Sequence, residues 1–134
     1  MTRTRLSTPH TVGAALAAVL VAPVLVAAPA LANDDDIIRE GSCSGGTDWK
    51  VKASPEDGRI EVEGEIDSNR NGQVWKWRLK HNGSVTAKGK STTRGRSGSF
   101  EVRRLMVNLR GTDTITVIAR RPATGQTCRG VVQF

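Results

Sequence analysis

Apolar and polar residues alternate along most of this chain, run after run, with a period of two. Ile60-Glu61-Val62-Glu63-Gly64-Glu65-Ile66 puts apolar residues on one face and three carboxylates on the other, the pattern of a half-buried strand. Trp75-Lys76-Trp77-Arg78-Leu79-Lys80 does the same with cations on its polar face. Similar runs cover residues 37–43, 48–53 (Trp49, Val51 and Ala53 inward), 84–90, 112–120 (Ile115, Val117 and Ala119 inward) and 126–134 (Cys128, Gly130, Val132 and Phe134 inward). Phe100 and Val102 open one more, in which Leu105, Val107 and Leu109 switch parity, a pattern that suggests a bulge or bend near Arg103-Arg104. Eight short strands and no helix result.

Turn chemistry then suggests partners. Asp67 to Gly72 is rich in turn formers, and it predicts a hairpin over residues 59–81 that sets Glu65 opposite Lys76, Glu63 opposite Arg78 and Glu61 opposite Lys80. Pro55-Glu56-Asp57-Gly58 reads as a four-residue turn pairing Lys52 with Glu61 and Lys50 with Glu63. At Asn82-Gly83 a three-residue connection with a bulge pairs Leu79 with Val85 and Trp77 with Ala87, keeping all four apolar residues on one side. The polar stretch Ser91 to Gly98 is long enough to cross between sheets. That favours an antiparallel immunoglobulin-like β-sandwich, with an up-and-down barrel as the alternative.

Residues 1–32 are set aside as a secretory signal peptide: Arg3 and Arg5 precede the small apolar run from Thr11 to Val26, and Ala30-Leu31-Ala32 is a cleavage pattern. The run falls short of the roughly 20 residues a spanning helix needs and contains Pro23, so no membrane span is expected in the mature chain. Residues 33–36 read as an acidic, flexible lead-in, and residues 37–134 as a single domain, expected to be monomeric and exported to the cell wall or beyond. The chain contains two cysteines, Cys43 and Cys128, and in an exported protein they are expected to form a disulfide.

Charge is divided unevenly. Residues 33–67 carry 4 Lys and Arg against 11 Asp and Glu, whereas residues 68–134 carry 14 against 2. With Lys76, Arg78 and Lys80 assigned to a neutralising ladder, the excess falls on Lys88, Lys90, Arg94, Arg96, Arg103, Arg104, Arg120, Arg121 and Arg129. These are candidates for contact with an anionic wall polymer, acidic polysaccharide or nucleic acid. Trp75 and Trp77 alternate with cations and are expected in the core, and the chain has no Tyr to build a sugar platform.

Catalytic chemistry is thin, and no enzyme activity or cofactor is expected. His81 is the one histidine after the leader and sits beside Asn82-Gly83, where a polar turn residue is ordinary; Glu101 and Asp113 would need a cleft uniting them with it. Asp67-x-Asn69-x-Asn71-Gly72 matches the first half of a calcium loop, but its twelfth position is Arg78 where a bidentate Glu is required. It is a weak metal candidate at best.

Gly41-Ser42-Cys43, Trp49-Lys50-Val51-Lys52, Pro55 to Ile60, Asp67 to Gly72, Gly98-Ser99-Phe100 and Gln126 to Gly130 together give the chain its resemblance to a group of small secreted actinobacterial proteins of uncharacterised function. The resemblance implies export and a compact disulfide-bonded domain, and supplies no site. The expected role is a non-enzymatic binding module acting through its basic second half. The alternative is a loop-mediated protein-binding or inhibitor domain using residues 91–98, with a weak calcium module or an enzyme as a third reading.

Overall fold

A computed structural model describes residues 35–134; the expected signal peptide, Asn33 and Asp34 lie outside the described residues. Eight strands follow in order: β1 (Ile37–Cys43), β2 (Thr47–Glu56), β3 (Arg59–Asp67), β4 (Val74–His81), β5 (Ser84–Thr92), β6 (Ser99–Val107), β7 (Thr114–Arg120) and β8 (Thr127–Gln133). They form two antiparallel sheets ordered β1-β2-β3-β6 and β5-β4-β7-β8. The chain therefore crosses between sheets after β3, after β5 and after β6, which makes a sandwich and not an up-and-down barrel. With β2-β3-β6 as strands A, B and E, and β5-β4-β7-β8 as C′, C, F and G, the order is that of an immunoglobulin-like sandwich with β1 added at an edge.

Inward positions follow the period-two pattern. Ile60, Val62 and Ile66 of β3 meet Trp75, Trp77 and Leu79 of β4 across the core, and Ile115, Val117, Ala119, Cys128 and Val132 complete it. Burying each large aliphatic or aromatic side chain stabilises the fold by about 1.5–3 kcal/mol. Trp49 lies between β1 and β8 because Gly41 and Gly130 leave room for it: a Cβ at Gly41 would sit 2.7 Å from the indole and one at Gly130 2.5 Å. Beside it Cys43 and Cys128 form the expected disulfide, joining the two sheets at the β1 and β8 edges.

The registers differ from expectation in four places. First, β3 and β4 do not pair; they share the apolar core from opposite sheets, because residues 67–73 carry the chain across the sandwich and do not double it back. Second, the β2–β3 turn is a two-residue Asp57-Gly58 loop with positive φ at both positions, 47° and 74°. That slips the pairing by two, so Lys50 faces Glu65 and Lys52 faces Glu63. The even slip keeps every apolar side chain inward.

Third, Asn82-Gly83 makes its own two-residue turn, with φ 47° and 87°. Lys80 then pairs with Val85, which is exposed. The bulge sits further along, between Leu79 and Lys80, and returns Ala87 to a position opposite Leu79. Fourth, β6 runs opposite β3 without a bend. Met106 is its inward residue, while Leu105, Val107 and Leu109 are exposed. Arg104 takes the intervening inward position at the edge of the sandwich, with its guanidinium 5.4 Å from the Trp77 ring centroid. Asp36 is also no free spacer: its side chain is 5% exposed, and Oδ2 lies 3.7 Å from Lys52 Nζ.

A cationic sheet face as the candidate functional site

Once β4 lies in the sheet opposite β3, its cations lose their expected carboxylate partners. Trp75, Trp77 and Leu79 point inward, so Lys76, Arg78 and Lys80 project from the outer face of β5-β4-β7-β8. By the same alternation Lys88 and Lys90 project from β5, Arg120 from β7 and Arg129 from β8. The four strands of this sheet contain no Asp or Glu. Among the described residues none of these seven cations lies within ion-pair distance of a carboxylate.

Register aligns like with like. Lys76 stands directly opposite Lys90 on one side and Arg120 on the other, and Arg78 stands opposite Lys88. Each directly opposed like-charge pair is destabilising by an amount of the order of 0.2–1 kcal/mol. The other sheet does the reverse at its centre. Lys50 Nζ is 2.8 Å from Glu65, Lys52 Nζ 3.5 Å from Glu63, and Arg103 reaches Glu63 at 2.6 Å, Glu61 at 3.4 Å and Glu101 at 3.6 Å. Glu65 and Glu101 are opposed there, but each has its own cation; Asp48 opposite Asp67 is the exception. The hydrogen bond from Lys50 to Glu65 raises the ammonium above its ordinary pKa against the opposing effect of burial.

The expected basic set is thus divided. Lys88, Lys90, Arg120 and Arg129 share the cationic face. Arg103 belongs to the acidic sheet, where three carboxylates occupy it, so its place among the free cations is corrected. Arg104 lies over Trp77. Arg94 and Arg96 stand in the exposed tip of the β5–β6 connection, and Arg121 begins the β7–β8 turn. Lys76, Arg78 and Lys80 are the additions that sequence reasoning missed. The available signal was loop length: six turn-forming residues between β3 and β4 exceed the two to five of a usual hairpin.

The remaining candidates hold the frame together. The β5–β6 connection is latched at its base, where buried Thr93 donates to Arg70 O at 2.5 Å and accepts from Gln73 N–H, and Ser68 Oγ donates to Gly98 O at 2.9 Å. Asp67 accepts the Asn69 N–H at 3.0 Å in an Asx-type turn, which uses the calcium-like residues as turn chemistry. Among the described residues no group of three or more His, Cys, Asp or Glu side chains converges as a metal site.

His81 and Asp113 do meet. Asp113, 0% exposed, has Oδ1 2.5 Å from His81 Nε2 and 3.1 Å from Asn82 Nδ2, and its Oδ2 accepts the Leu109 N–H at 2.9 Å. Burial alone would push this carboxyl up, but the bonds from Leu109, His81 and Asn82 outweigh it and hold Asp113 below the ordinary carboxylate value. Asn82 Oδ1 accepts the Thr114 N–H at 2.7 Å, so the cluster pins the β6–β7 loop to the β4–β5 turn. Glu101 lies on the other sheet, bound to Arg103.

Comparison of the chain with known protein families, curated proteins and solved structures finds no match. Among the described residues no helix is long and apolar enough to cross a membrane, and the disulfide points to an oxidising, extracellular-type environment.

Proposed function

We propose that this domain is a secreted, non-enzymatic binding module that engages an anionic extracellular or cell-wall polymer through the outer face of β5-β4-β7-β8. The observation that carries the reading is the set of opposed like charges. Lys76 faces Lys90 and Arg120, and Arg78 faces Lys88, without an intervening carboxylate, while the same chain pairs cations with acids at the centre of its other sheet. A polyanion laid across the face supplies the missing counter-charge and concentrates binding energy where the free protein is least comfortable.

The test is a titration with long-chain polyphosphate and with a polyuronic acid over a range of NaCl concentrations. Affinity is expected to fall steeply with salt, and the dependence to flatten by about one unit of log–log slope for each cation removed. Reversing Lys76 and Arg78 to Glu abolishes binding, whereas Arg103→Gln leaves it unchanged. Undetectable binding at low ionic strength, or binding indifferent to the Lys76 and Arg78 reversals, sinks the reading.

A further inference from the structure

A groove of 600 Å³ lies within this face, walled by Lys76, Arg78, Lys88, Lys90 and Arg120, with Trp77, Ile118 and Pro122 as its apolar part. Such a volume falls in the range of small-molecule sites, about 300–1,000 Å³. Lys90, Lys76 and Arg120 form one cross-strand row, and Lys88 and Arg78 the next, which continues to Ile118 on β7. With strands about 4.8 Å apart and same-face neighbours about 6.7 Å apart along a strand, the five cations are anchored within about 10 Å by 7 Å. Side chains of that length converge easily on one small anion.

We propose that the groove is a site for an organic phosphate monoester or diphosphate, with the phosphoryl group among Lys76, Lys90 and Arg120 and its apolar or ring substituent against Ile118 and Pro122. The inference rests on the polyanion reading and narrows it to phosphate esters. A phosphoryl group brings nearly two charges and three acceptor oxygens to one tetrahedral centre, and the Arg120 fork takes two of those oxygens together. A carboxylate brings one charge in one plane and leaves most of the opposed cations uncompensated. Ile118 then has a use that a uniformly charged polymer would not give it, since it is an apolar seat set in the same row as Arg78 and Lys88.

Calorimetric titration of the intact domain at physiological ionic strength, with inorganic phosphate, 1-naphthyl phosphate and 2-naphthoate as probes, tests this. Naphthyl phosphate is expected to bind with one-to-one stoichiometry and about tenfold more tightly than either other probe. Lys76→Gln weakens it about tenfold, and Ile118→Ser reduces it to the level of inorganic phosphate; both positions are on the outer face, and the far-ultraviolet spectrum checks that each variant is folded. Equal affinity for naphthoate and naphthyl phosphate, or no preference over inorganic phosphate, overturns the site. Polymer binding without probe binding also overturns it and leaves the broader reading standing. Probe binding without polymer binding upholds the site and overturns the polymer reading.

Discussion

At the scale of single residues, Asp113 shows how much one side chain can organise. Its carboxylate takes a backbone N–H from its own loop and side-chain contacts from the neighbouring turn, so removing it orphans several groups together. Asp113→Ala is expected to cost about 3 kcal/mol, read as a lower urea midpoint at neutral pH. Because the folded carboxyl titrates below its unfolded value, its contribution is complete above pH about 4 and is lost as pH falls through the folded value. The gap in stability between the wild type and Asp113→Asn should therefore close as pH falls below about 4. The sequence singled out His81 and Asp113 but not that they meet. Asn82 and His81 lie 31 and 32 positions away, and only the pairing of β4 with β7 brings them to Asp113.

At the scale of strands, sequence was a good guide to which way each side chain points and a poor guide to its neighbours. The alternation in β3 and β4 was legible because inward apolar residues are required by either arrangement; a shared sheet and opposed sheets bury the same faces. The pairing of β3 with β2 was legible from the turn between them, but its second partner, β6, was not, since Arg103 lies 40 residues from Glu63 and competes in pattern with the nearer Arg78. Glu63, 14% exposed and held between Lys52 and Arg103, is expected to cost about 1 kcal/mol when replaced by Gln, with polymer binding unchanged. Lys76→Glu has the opposite profile: a carboxylate between Lys90 and Arg120 converts two repulsive pairs into attractive ones. The urea midpoint should rise, by an amount corresponding to about 0.5–1 kcal/mol, while polymer binding weakens. A midpoint that falls would show that the like-charge pairs are not the strain they are taken for.

At the scale of the whole molecule, two sheets were legible from the polar connection after β5, and the cysteine pairing from the count alone. Which face would be basic was not legible, because it depends on all three crossings between the sheets. Reducing the Cys43–Cys128 bond, which spans 85 positions, is expected to lower stability by about 4.5 kcal/mol in the chain-entropy account, seen as a shift in thermal midpoint between oxidised and reduced protein. The same bond governs how the domain bears load. Tension applied through Ile37 and Phe134 passes from β1 to β8 across the disulfide, so only the short stretches outside it can pay out, about 40 Å at about 3.4 Å per residue. Reduction frees the enclosed segment and adds about 290 Å of extension at the same rise. Oxidised, six of the seven cations of the basic face, all but Arg129, lie inside a closed loop that tension on the two ends of the chain cannot draw out.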